Sequence, residues 1–183
     1  MTQTPDITVE HTGLALVKPL LADYLAVCYR LPEDERRQWS AFSDGGPFDP
    51  EAMAIQLAAS PGPRWALVTS RGEPIAIGGF TWLRPRVWQD WLISTSAAWT
   101  DHWRTVSKTC RRIIDRMLAT EARRIQCVAL AERTRAHAWY RVLGYEREGL
   151  LRAYGAHGED AVMFARVAQM EERTTEEREH GQQ

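Results

Sequence analysis

The run Arg133-Thr134-Arg135-Ala136-His137-Ala138-Trp139-Tyr140-Arg141-Val142-Leu143-Gly144-Tyr145 decides the fold of this chain. It predicts a short helix that Gly144 ends, because glycine alone enters the left-handed backbone region without a steric penalty. Just before it, RRIQCVAL reads as a buried strand. Just after it, EREGLLRAY and AVMFARV flank Gly155-Ala156-His157-Gly158 and predict an antiparallel hairpin.

On the other side of that strand the period is helical. Trp103, Val106, Cys110, Ile113, Ile114, Met117 and Leu118 form one apolar face, with Arg104, Lys108, Arg111, Arg112 and Asp115 opposite. Farther back, RWALVTS and PIAIGGFTWL predict a hairpin about Arg71-Gly72-Glu73, and Gly78-Gly79 inside the second strand reads as a bulge. A third strand is expected from Val87 to Ala97. The opening third of the chain reads as a strand at Ile7–His11 followed by three helices. The first runs from Leu16 to Tyr29, the second opens at Pro32, and the third follows the Asp49-Pro50 cap to about Ser60. The order of elements predicts a mixed α/β domain whose mostly antiparallel sheet holds one strand–helix–strand crossover, with helices flanking it. One domain is expected over 1–168, and 169–183 reads as a polar tail, a frayed helix or disorder.

Composition excludes several classes. With 44% hydrophobic and 26% charged residues the chain reads as globular, and its net charge of −1 gives no field to gather nucleic acid or anionic lipid. No apolar run is long enough to span a bilayer, and no secretory leader is visible, so a cytoplasmic setting is expected. Cys28, Cys110 and Cys127 are far apart and read as reduced, packed thiols. The histidines show no metal-ligand spacing, so no metal is expected. Five of the eight tryptophans fall between Trp82 and Trp103, a density that suggests a binding surface there.

The Arg133–Tyr145 run resembles the late signature of the GNAT (general N-acetyltransferase) superfamily, Asn-x-x-Ala-x-x-x-Tyr-x-x-x-Gly-Phe/Tyr. The ATEARRIQCVAL ahead of it is similar to that family's helix-to-strand passage. The closing LLRAYGAHGEDAVMFARV is similar to GNAT-like proteins of tailed bacteriophages, which would place the protein in a host's cytoplasm.

The resemblance implies a GNAT fold, acetyl-CoA as co-substrate and transfer of its acetyl group to an amine by direct attack. It makes Tyr140 the acid that protonates the departing thiolate. It sets the pyrophosphate at the start of the long helix, around Trp103, Arg104, Thr105, Val106 and Ser107, where orphan N–H groups and the helix dipole favour anions. Arg133 and Ala136 would meet the pantetheine, and a strand amide near Ser96 or Ala98 would hold the carbonyl oxygen. Asp90, on the strand lining the acceptor side, is a candidate base or water-positioner, as are His102 and His137. Two departures stand out: the long helix begins without the family's glycines, and Asp101 stands near the place of its basic residue.

Two functions follow. One is an N-acyltransferase acting on a small amine, a protein N-terminus or a lysine. The other is a non-catalytic GNAT-fold protein of phage type, gripping a protein partner through Trp82, Trp88, Trp91, Trp99 and Trp103 in virion assembly or host interference. Exposed indoles would also favour a homodimer.

Overall fold

The computed structural model describes residues 13–168. The strand expected at Ile7–His11 and the tail from 169 onward lie outside them.

The chain folds as β1 (Leu14–Val17), α1 (Leu21–Cys28), α2 (Glu33–Phe42), α3 (Pro50–Ala59), β2 (Arg64–Thr69), β3 (Pro74–Arg84), β4 (Val87–Ser94), α4 (Ser96–Thr100), α5 (Trp103–Thr120), β5 (Arg124–Leu130), α6 (Thr134–Val142), β6 (Glu146–Leu151) and β7 (Ala161–Val167). The seven strands form one sheet in the order β1-β2-β3-β4-β5-β7-β6. Every neighbouring pair is antiparallel except β4 and β5. The expected α/β architecture with one crossover is what the chain builds.

Two apolar layers hold the sheet. Val106, Cys110, Ile114 and Met117 of α5 pack with Trp65, Phe80, Ile125, Cys127 and Phe164. Tyr24, Val27 and Cys28 of α1 and Met53, Ala54 and Leu57 of α3 pack with Ala66, Ile77 and Ile93. All three cysteines are free and buried within these layers. The Asp49 carboxylate accepts from the N–H groups of Glu51 and Ala52, which starts α3 at Pro50.

Three local expectations need correcting. Leu14–Val17 pairs with β2 as a strand, so the first helix starts only at Leu21, where Asp23 accepts the N–H of Leu20. A four-residue apolar run fits either period, and the free edge of β2 decides for the strand. Gly78 and Gly79 keep regular register on both sides and form no bulge. They are glycines because a Cβ on either would lie about 2.4–2.5 Å from the indole of Trp65 or Trp91. Finally, β4 stops at Ser94, and Ser96 to Thr100 wind into the short α4.

Candidate active site

The parallel pair β4–β5 zips only from Val87–Arg124 to Gln89–Gln126. Beyond that rung the strands part, and the backbone groups that would have continued the ladder need other partners. At the wide end α2 supplies them. The Ser94 N–H donates to Glu35 Oε2 (3.3 Å), and the Leu130 N–H donates to Gln38 Oε1 (3.2 Å). The Leu130 carbonyl meets His137 Nε2 at 2.9 Å, which gives that histidine a structural reason to be there.

Strand alternation identifies the groups left in between. The N–H of Thr95 bonds back to Ile75 on β3 while that of Ser94 turns away, so the backbone of Leu92 faces the gap. By the same rule Ala131 bonds toward Asp160 and Leu130 turns away, so Val128 faces the gap from β5.

A cavity of about 430 Å³ opens at this mouth. Trp99, Trp139 and Tyr140 give it aromatic walls, Ser96 and Trp103 lie on its α4–α5 side, and Arg133, Arg135 and Ala136 on its α6 side. Asp34 and Glu35 of α2 close the third side. Hydrogen bonds fix the indoles: Trp99 Nε1 donates to Ser94 Oγ (2.8 Å) and Trp139 Nε1 to Ser107 Oγ (2.9 Å), with the rings edge-to-face at 5.0 Å. The indoles wall the cavity and leave its centre open.

α2 buries Ala41 and packs Trp39 on the α1–α3 core, and polar contacts position the rest of it. Arg133 grips Asp34 through Nε (3.1 Å) and Nη2 (3.0 Å), and Arg37 pairs with Glu132 at 3.1 Å. At its far end Ala156 donates to the Ala41 carbonyl and Phe42 packs edge-to-face on Tyr154. The β6–β7 hairpin tip and the turn after β5 thus hold α2 across the split.

The sequence-derived candidates separate into two groups. Tyr140, Ser96, Trp103, Arg133 and Ala136 line the cavity. Burial pushes the Tyr140 phenol well above its usual range, so it carries its proton at neutral pH. Asp90 does not line the cavity. Its carboxylate sits in a separate void of about 10 Å³ among Trp65, Phe80, Cys110, Ile114 and Trp139, accepting from Tyr145 Oη at 2.6 Å. Burial raises it to about 6, although the Tyr145 hydrogen bond pulls the other way.

Ala98 is buried inside α4 and Ser96 opens that helix, so neither presents a strand amide; Leu92 is the β4 residue whose amide faces the gap. At the start of α5, Trp103 and Arg104 are exposed and the guanidinium stacks 4.9 Å from the Trp103 ring. No side chain caps that helix. Thr105 is half-buried, while Val106 and Ser107 point into the core. Lys108, Arg111 and Arg112 are exposed.

Sequence reasoning missed Glu35. It lines the cavity with its side chain only 11% exposed, accepts from Ser94 Oγ at 2.8 Å, and is raised to about 7, chiefly by burial and against the opposing pull of Arg133 and Ser94.

The tryptophans form no single exposed face. Trp82 and Trp103 are exposed, Trp88 and Trp99 pack on the α5 side of the sheet, and Trp91 packs on the α1–α3 side. Among the described residues no cluster of three or more His, Cys, Asp or Glu side chains could hold a metal, and no helix is long and apolar enough to cross a membrane.

No family model matches the chain, and no curated protein matches it in sequence. Solved structures do match. A GNAT-family acetyltransferase from Bacillus anthracis is similar with a TM-score of 0.68 at 13% identity, over 88% of this chain and 99% of that one. Spermidine N-acetyltransferase from Vibrio cholerae, solved with CoA and spermine, is similar with a TM-score of 0.66 at 12% identity, over 85% of this chain and 96% of that one. Ribosomal-protein-S5-alanine acetyltransferase from Vibrio fischeri is similar with a TM-score of 0.65 at 12% identity, over 90% of this chain and 98% of that one. The fold is the one that GNAT-superfamily acetyltransferases share.

Proposed function

We propose that the protein is an N-acyltransferase that moves an acetyl group from acetyl-CoA to a primary amine. The observation that carries this reading is the split between β4 and β5, which opens on a walled cavity beside the protonated phenol of Tyr140. An amide-bearing arm fits such a split, because the Leu92 and Val128 backbone groups facing it require polar partners. The uncapped first turn of α5, with Arg104 beside it, fits a pyrophosphate. Side chains there take the place of the family's glycines, so Trp103 and Arg104 have room to contribute only by lying outward, as they do.

When bound, acetyl-CoA supplies the activated acyl group as a thioester. The rest falls to this chain. Leu92 N–H is placed to hold the carbonyl oxygen as negative charge develops on it. Tyr140 holds the proton that the leaving sulfur needs. Trp99, Trp139 and Trp103 restrict water, and Arg133 and Ala136 shape the α6 wall. The acceptor is a primary amine on a small molecule or on a protein, and the proposed setting is cytoplasmic. The partner-binding alternative, with its phage setting, draws less support, because three of the five tryptophans pack into the sheet layers.

Calorimetric titration with acetyl-CoA tests the reading. Binding is expected, with a raised melting temperature. Tyr140→Phe is expected to lower turnover roughly 100-fold and leave the dissociation constant unchanged. If millimolar acetyl-CoA neither binds nor stabilises the protein, the proposal fails.

A further inference from the structure

We infer that Glu35 is the catalytic base that takes the proton from the acceptor ammonium, an assignment that rests on the acyltransferase reading above. The argument is geometric. Glu35 stands at the wide end of the β4–β5 split and on the wall of the cavity, across from the α6 face that carries Tyr140. Its carboxylate is held at two points by one residue, Oε1 by the Ser94 hydroxyl (2.8 Å) and Oε2 by the Ser94 N–H (3.3 Å). Trp99 Nε1 donates to that same hydroxyl oxygen, which turns the Ser94 proton toward Glu35 and keeps the carboxylate an acceptor. A carboxylate receiving two hydrogen bonds still has lone pairs free to face the cavity.

The charges around it leave it poised. Arg133, from the turn after β5, is the nearest cation, but its guanidinium is committed to Asp34 and only grazes Glu35 at 3.8 Å. Asp34 on α2 opposes ionisation, Cys28 on α1 is a neutral thiol pushed up to about 12, and the Tyr140 phenol on α6 is neutral too. Arg135 is the other cation on the cavity wall. Among these neighbours Glu35 sits near 7, where a carboxylate can accept a proton from an ammonium and release it again at neutral pH.

The step balances. A primary ammonium gives one N–H proton to the Glu35 carboxylate, and the freed nitrogen lone pair forms the C–N bond to the thioester carbonyl carbon. The C–S bond breaks, and the sulfur leaves with its electron pair and takes the Tyr140 phenolic proton. The surplus proton on the new amide nitrogen restores the phenol. Glu35 passes its own proton to solvent through the cavity mouth.

Thiol release from acetyl-CoA, with spermidine as the probe amine, tests the assignment in the full chain. Glu35→Gln is expected to release thiol roughly 100-fold more slowly at neutral pH, with acetyl-CoA affinity unchanged. Its rate should keep climbing with pH as the amine deprotonates unaided, while the wild type levels off once Glu35 is ionised. Glu35→Ala is expected to regain rate with added formate, which a merely structural role would not allow. Infrared spectra of the ligand-free protein supply a readout free of activity: of the two carboxyl bands that titrate above the usual carboxylate range, Glu35→Gln is expected to remove the one near 7 and leave that of Asp90 near 6. A Glu35→Gln protein that binds acetyl-CoA and keeps both the wild-type rate and its acid limb overturns the base assignment and leaves the acyltransferase reading intact. Failure of the wild type to bind acetyl-CoA overturns both. Binding without thiol release, to spermidine or to water, overturns the roles of Glu35 and Tyr140 together.

Discussion

Asp90 of β4 and Glu35 of α2 are two carboxylates beside one strand edge, the first just past the last closed rung of β4–β5 and the second bonded to Ser94 at the strand's end. Burial raises both, Asp90 to about 6 and Glu35 to about 7. Their surroundings differ in room. Asp90 is locked against Tyr145 in a void of about 10 Å³, at the lower limit of what one water needs. Glu35 opens on a cavity of about 430 Å³. A raised carboxyl thus marks chemistry only where a substrate has room beside it; in a void with room for no more than a water the same shift is a stability effect.

The largest expected effect concerns stability and pH. A carboxylate whose folded-state value lies above its unfolded one binds more protons folded than unfolded, so stability falls as pH rises through that window. For Asp90 the window runs from 3.8 to about 6, and for Glu35 from 4.5 to about 7. Below both windows neither group carries a penalty; above them each carries the full one, at most about 3 kcal/mol. Asp90→Asn is therefore expected to raise the melting temperature at pH 8 and change little at pH 4. Glu35→Gln should do the same to a smaller degree, because the amide keeps only one of the two acceptor oxygens that Ser94 uses. Equal gains from the two, measured by calorimetry across that range, would break the contrast between the narrow and the roomy site.

Removing the lock comes next. Tyr145→Phe deletes the 2.6 Å hydrogen bond and leaves Asp90 without its partner. The expected loss at pH 8 is about 1–3 kcal/mol, read from denaturant midpoints. It should shrink toward pH 4, where protonated Asp90 no longer requires a donor. Acetyl-CoA affinity should be unchanged.

How much of this was legible beforehand follows from the range over which each signal acts. The α5 helix, the β2–β3 hairpin and the capped α3 were readable because periodicity, turn residues and caps are local. The α4 turn was not, since a Ser-Thr-Ser-Ala-Ala run continues a strand or winds up with equal ease. At the site, the resemblance led to Tyr140, Arg133 and Ala136, all of which line the cavity. It also pointed to Tyr145, but not to that residue's hold on Asp90. Glu35 was hidden among three acids in the first turn of α2, which read as charges answering a helix dipole. Its burial depends on Ser94, 59 residues away, and on Arg133 beyond the split; no local pattern carries that information.

The smallest effect sharpens the comparison most, because it changes neither carboxylate. Arg133 divides its guanidinium unequally, with two contacts to Asp34 and one loose approach to Glu35. Asp34→Asn weakens the first claim and removes a negative charge beside Glu35. Both changes favour ionised Glu35, since a closer cation and a lost like charge act in the same direction. The acid limb of the thiol-release profile is expected to move to lower pH, by less than about one pH unit, with the plateau rate nearly unchanged. Asp90 should not respond to the same variant, and carboxyl infrared titration of the two groups would show it. A limb that stays in place would mean that Arg133 remains fixed by its neighbours and that Glu35 is set by burial alone.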